Sequence, residues 1–167
     1  MLPIVMADIL NTPNTQGSRP VEAIRLEEFL PYRLSVLSNT VSRGLARAYI
    51  GRFGLTIPEW RMLAVLARFA PASAQEVADR SAMDKVRVSR AVSRLMERGL
   101  VERVMDTQDR RRSQLSLSDA GWTIYGEIAP AARQVETEIY DGLQEQERAE
   151  FDRLLTKLLH HAQALKG

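Results

Sequence analysis

Three consecutive arginines, Arg110, Arg111 and Arg112, stand in the stretch DTQDRRRSQLSLSDAG, between two aspartates and a run in which polar residues alternate with leucines. A guanidinium is charged at any physiological pH, and its planar fork of donors matches phosphate oxygens and the edge of guanine. Shortly upstream, DKVRVSRAVSRLMERG carries Lys85, Ser89, Arg90, Ser93, Arg94 and Glu97 at spacings that turn them away from the apolar side of a helix. With Arg80, Arg98 and Arg103, the window from Arg80 to Arg112 holds ten basic and five acidic residues, a local charge of +5, in a chain whose net charge is only +2. The remainder is therefore mildly acidic. A basic field on such a body is suited to one polyanion-facing surface, although without a partner the same charges form an ordinary solvated face.

Other chemistries lack equipment. The chain has no cysteine, so disulfides, zinc–thiolate sites, thiol redox sensing and cysteine nucleophiles are excluded. His160 and His161 are adjacent, and neighbouring side chains on a helix point about 100° apart, which suits a shared metal poorly. No nucleophile–base–orienter set, glycine-rich phosphate loop or zinc-protease spacing is present, so neither an enzyme nor a cofactor is expected. No apolar run approaches the roughly 18 residues of a membrane span, and MLPIVMADIL lacks the basic start of a signal peptide. A cytoplasmic protein is the expectation.

The elements that must position these residues can be read in order. Residues 1–26 form a Pro/Asn/Thr/Gly-rich arm. Residues 27–55 read as one long helix with Leu34, Leu37, Val41, Leu45 and Tyr49 at helical spacing, Pro31 near its start and Gly54 at its end. Two capping boxes, Thr56-x-x-Glu59 and Ser73-x-x-Glu76, open the next two helices, the first with Trp60 and Leu63 on its apolar face. Asp84 caps a fourth helix that ends at Gly99, with Val88, Ala91, Val92 and Leu95 inward and the basic residues outward. Two short helices joined tightly, the second with a polar outer face, describe a helix-turn-helix. The period then changes to about two (Leu100, Val101, Val104; Leu115, Leu117), which predicts a hairpin with the arginines at its tip. Asp109, two residues before Arg111, is placed to hold that guanidinium in one direction. Ser118 caps a helix containing Pro130. The last helix sets Phe151, Leu155, Leu158, Ala162 and Leu165 at 4-3-4-3 intervals, a seam that could pack on the first helix or on a second chain. The fold class expected is mainly α with a small β-wing: a lobe over 56–118 flanked by terminal helices in 27–55 and 119–167, for which the family resemblance given next implies dimerisation.

The order of elements, with SRAVSRLMERGLVERVMDTQDRRRSQLSLSDAG at its centre, resembles the MarR family of winged-helix regulators. The family pattern Asp-x-Arg-x-x-x-Leu-x-Leu-Thr appears as Asp109, Arg111, Leu115 and Leu117, with Ser118 in the place of the threonine. The resemblance spans about residues 27 to 165. It implies a homodimer that sets two lobes on a pseudo-palindromic site in double-stranded DNA. Carried over by position, Lys85, Arg87, Ser89, Arg90, Ser93 and Arg94 fall on the recognition helix and Arg111 on the minor-groove contact, with Arg103, Arg110 and Arg112 beside it. Where the family often carries small hydroxyl residues, this chain has Val86 and Arg87.

Within that frame Ser89 and Arg90 are the base-edge candidates, and Arg94 and Arg98 the phosphate candidates. Leu34, Phe151, Leu155, Leu158, Ala162 and Leu165 are the dimer-interface candidates. The family often binds small aromatic or anionic molecules, which brings Trp60, Arg33, Ser38 and Met62, with Tyr49, forward as effector contacts; a Trp on an apolar helix face is more commonly core. The function expected is a sequence-specific transcriptional regulator, a repressor released by a small molecule that is aromatic or CoA-linked. The competing readings are a sequence-indifferent structural DNA binder and a protein-interaction module without an effector.

Overall fold

The structure is a computed structural model that describes residues 23–105 and 113–165. Seven helices and one two-stranded sheet occupy them: α1 Leu30–Ala46, α2 Ile50–Phe53, α3 Ile57–Phe69, α4 Ala74–Ser81, α5 Lys85–Glu97, β1 Val101–Met105, β2 Ser113–Leu117, α6 Asp119–Tyr140 and α7 Glu145–Ala164. The chain divides into two units, Met1–Leu37 and Ser38–Gly167. The described part of the first is a turn leading into the start of α1, and its Ile24, Leu26, Phe29, Leu30, Leu34 and Leu37 are exposed.

The second unit holds the core, and its helix starts follow local chemistry. Glu59 Oε2 accepts the Thr56 backbone N–H at 2.7 Å, and Glu76 Oε2 accepts that of Ser73 at 2.8 Å, closing both expected capping boxes. Asp84 Oδ1 accepts the Arg87 N–H at 2.8 Å, and Ser118 Oγ accepts that of Gly121 at 3.1 Å. Each bond satisfies a donor that a helix N-terminus otherwise leaves orphaned, worth about 1 kcal/mol. Helices α3, α4 and α5 pack on one another, and α3 also meets β2 and α6. Leu63, Leu66, Val77, Leu95, Leu115 and Ile128, from α3, α4, α5, β2 and α6, have no exposed surface at all, and they form the centre of the core.

The strands pair antiparallel with Val101 opposite Leu117 and Arg103 opposite Leu115. Of the apolar residues that suggested this hairpin, Val101, Leu115 and Leu117 are buried, whereas Val104 is 59% exposed. Ala72 adds a bridge that sequence alone did not reveal: its N–H donates to Leu115 O at 3.1 Å and its carbonyl accepts from Leu115 N–H at 2.8 Å. A single residue is too short to register as a strand, yet it ties the hairpin to the lobe.

The expected single helix over 27–55 is corrected in two ways. It begins only at Leu30, and it is interrupted between α1 and α2. There the bonds tighten to the i→i+3 pattern, from Arg47, Ala48 and Tyr49 to Gly44, Leu45 and Ala46. Tyr49 leaves helical geometry (φ −130°) and places its ring, fully buried, 5.6 Å from that of Trp60. Burying an aromatic ring outweighs the one or two backbone bonds that continuing the helix would have kept. Helix α6, by contrast, runs on through Pro130.

Candidate nucleic-acid interface

Helix α5 is divided by burial. Val88, Ala91, Val92 and Leu95 face the core, and Lys85, Arg87, Ser89, Arg90, Ser93 and Arg94 are all exposed. The inner four recur at three- and four-residue steps, so the outer face follows from the 3.6-residue turn. α4 ends at Ser81, whose hydroxyl donates to Val77 O at 2.6 Å, and the corner passes through Ala82, left-handed at φ 53°. Asp84 then does two jobs: one oxygen caps α5 and the other lies 3.2 Å from Arg87 Nε. That ion pair steers the Arg87 guanidinium toward the N-terminal end of the helix.

Arg103, on β1, is exposed as well, and a shallow cleft is lined jointly by Gln75 of α4, Lys85 and Ser89 of α5, and Arg103. The outer face of α5 and the base of the hairpin are thus one surface. Asp109, Arg110, Arg111 and Arg112 lie outside the described residues. Lys85, Arg90 and Arg103 have no acid partner among the described residues. Arg90→Ala is expected to relax discrimination at one base pair by about 1–3 kcal/mol while binding elsewhere on a panel of mutated duplexes is unaffected. A uniform loss across the panel would make Arg90 a phosphate contact instead.

Arg98, expected as a phosphate contact, also makes contacts within the chain. Its Nη2 donates to Phe53 O at 2.7 Å and its Nη1 approaches Gly54 O at 3.4 Å, so it serves the carbonyls that end α2. Arg94 is also engaged, with Nη1 3.9 Å from Glu59 Oε1. Neither contact was legible in the sequence, because both join residues far apart in the chain.

The effector candidates separate. Arg33 and Ser38 are exposed on α1, while Trp60 is 7% exposed and Met62 has no exposed surface, so both of these belong to the packed interior. Trp60 stacks between Tyr49 and Tyr125, with centroids 5.6 and 5.7 Å away, and Trp122 meets Tyr125 edge-on at 5.9 Å. The Tyr49 hydroxyl at the end of this ladder is buried with no hydrogen-bond partner. Burial pushes its pKa up to about 12, offset in part by the Arg61 charge, so the phenol remains a neutral donor at any physiological pH.

On α7 no residue is buried, and Phe151, Leu155, Leu158 and Leu165 are exposed, as Ala162 is. Its start shows a capping box that sequence reading passed over, with the Gln144 N–H donating to Glu147 Oε2 at 2.8 Å. Among the described residues no helix is long and apolar enough to cross a membrane, and no group of three His, Asp or Glu side chains could hold a metal.

Comparison with known proteins places this arrangement. The family model for the MarR family matches residues 53–112, from the end of α2 to the residue before β2. The HTH-type transcriptional regulator MgrA of Staphylococcus aureus is 27% identical over 135 residues, covering 81% of this chain and 90% of MgrA. A structure described as a "probable transcriptional regulator" from Pseudomonas aeruginosa is 30% identical, with a TM-score of 0.70 over 80% of this chain and 99% of that one. PcaV from Streptomyces coelicolor, solved in complex with its natural ligand, shares the fold at 24% identity, with a TM-score of 0.72 over 85% and 99% of the two chains. Family model, relatives and fold agree: the chain belongs to the MarR family of transcriptional regulators.

Proposed function

We propose that the protein is a homodimeric, sequence-specific DNA-binding repressor released by a small ligand. The observation that carries this reading is the outer face of α5, where Lys85, Arg87, Ser89, Arg90, Ser93 and Arg94 are all exposed and continue into Arg103 on β1. A helix of this width enters the major groove, where Ser89 and Arg90 meet base edges. Arg110, Arg111 and Arg112, with Asp109 bracing Arg111, supply charge to the adjacent backbone and minor groove. Residues 27–55 and 119–167 serve dimerisation, 56–118 is the DNA-binding lobe, and 1–26 is an arm. The exposed apolar residues of α7 support the dimer, since a stripe of this size on a lone chain favours burial against a second copy.

Release by a ligand is supported by PcaV, a protein of the same fold solved in complex with its natural ligand. On this reading the ligand is aromatic or CoA-linked. With no cysteine in the chain, it acts noncovalently. By binding better to one spacing of the two lobes than to the other, it would shift them out of register with half-sites one helical turn apart.

The test is selection of duplexes from a random-sequence library by the purified protein. Recovery of an inverted repeat with half-sites about 10 base pairs apart is the expected result; recovery of unrelated sequences at equal affinity would establish a sequence-indifferent binder instead. On the selected duplex, Arg111→Ala should lower the slope of log affinity against log salt by about one. An unchanged slope would remove Arg111 from the contact surface.

A further inference from the structure

Two arginines expected as phosphate contacts, Arg94 in α5 and Arg98 at its C-terminal cap, both reach one short segment, Phe53 to Glu59, which joins the end of α2 to the start of α3. Arg94 and Arg98 are one helical turn apart and share a side of the helix. Arg98 grips the carbonyls of Phe53 and Gly54 at 2.7 and 3.4 Å. Arg94 Nη1 lies 3.9 Å from Glu59 Oε1. Glu59 is 3% exposed, the one buried charged side chain among the described residues. A carboxylate removed from water needs compensation, and this one has it from the Thr56 N–H at 2.7 Å, from the start of α3 and from Arg94. The Thr56 bond also leaves the carboxylate only one free oxygen, aimed at Arg94. The segment is bounded by Tyr49 before it and Trp60 after it, which are stacked ring to ring.

We propose that Glu59, together with the carbonyls of Phe53 and Gly54, forms a bracket that sets the direction of Arg94 and the seating of the C-terminal half of α5. Glu59 is then a specificity-determining residue that never touches DNA. The inference rests on the DNA-binding reading given above, and it makes a prediction of unexpected sign. Removing a negative charge beside a DNA-facing surface should by itself tighten binding to any duplex. Removing a positioning group should weaken binding to the preferred duplex only, because a long arginine held in one direction loses less side-chain entropy on docking.

Two measurements on the full chain test this. The first uses no DNA. Arg98→Gln, at an exposed position, should speed amide hydrogen exchange at Phe53 and Gly54 about tenfold and leave Leu63 and Leu66 unchanged; unaltered exchange at Phe53 and Gly54 would overturn the bracket. The second uses a duplex selected by the wild type from a random library and a scrambled duplex of equal length. Glu59→Gln retains the capping-box geometry. It should lower the ratio of selected to scrambled affinity about fivefold, with scrambled affinity no weaker, and should add nothing in an Arg94→Gln background. Equal or tighter binding of the selected duplex by Glu59→Gln, or a full second loss in the double variant, would overturn the proposal. If the library yields no preferred duplex, the repressor reading fails while the exchange experiment still decides whether the bracket exists.

Discussion

Gly121→Ala is expected to destabilise the DNA-binding lobe by about 3 kcal/mol or more, lowering the midpoint of thermal unfolding by roughly 10 °C. In an open helix the same change would stabilise by up to about 1 kcal/mol, because glycine is the weaker helix former. Here a Cβ would sit 2.0 Å from Leu100 O and 3.1 Å from its carbonyl carbon, and neither is the tip of a flexible side chain. The first turn of α6 is docked on the turn between α5 and β1 by further bonds, Ser118 Oγ to Gly99 O at 2.6 Å and Ser118 N–H to Leu100 O at 3.2 Å. The clash can therefore be relieved only by prising α6 from the base of the hairpin. Steric overlap wins over propensity, and a calorimetric midpoint equal to that of the wild type would show that this junction yields more easily than its geometry implies.

Leu158→Asp should abolish the homodimer proposed above. Leu158 is 45% exposed on a helix with no buried residue, so the substitution costs the isolated chain little. Across a two-fold interface it would bury two unpaired carboxylates facing one another, at several kcal/mol each. Sedimentation or light scattering should report a species of half the mass. Affinity for an inverted-repeat duplex should fall by at least about 100-fold, because the second lobe no longer binds as part of the same particle. A dimer that survives would place the contact on a face of α7 that excludes Leu158.

How much of this was readable beforehand depended on the range of the interactions. Helix starts were legible because Thr56 with Glu59, Ser73 with Glu76, and Asp84 and Ser118 each act within three residues of themselves. The two-faced character of α5 was legible for the same reason, since period alone separates Val88, Ala91, Val92 and Leu95 from the basic residues. The break between α1 and α2 was not, because Tyr49 sits at a spacing that continues the helix and only its stacking on Trp60 pulls it out. The contacts of Arg98 and Arg94 were not legible either: charge and spacing mark an arginine as basic and exposed, and only the tertiary structure brings it to Phe53, Gly54 and Glu59. On α5 and β1, Lys85, Arg90 and Arg103 are exposed with no acid partner among the described residues, a distinction that composition could not draw.

The corner between α4 and α5 carries a consequence for which residues the protein could accept there. Ala82 holds φ 53°, a region where a Cβ is disfavoured by roughly 1–2 kcal/mol. Glycine would remove that strain but would also give the unfolded chain more freedom to lose, a penalty of roughly 0.4–1 kcal/mol. The strain is the larger of the two, so glycine should be mildly favoured over alanine at this corner, and asparagine is tolerable. Valine or isoleucine, whose second branch deepens the clash, would open the angle between the two helices and swing the basic face away from the groove it has to enter.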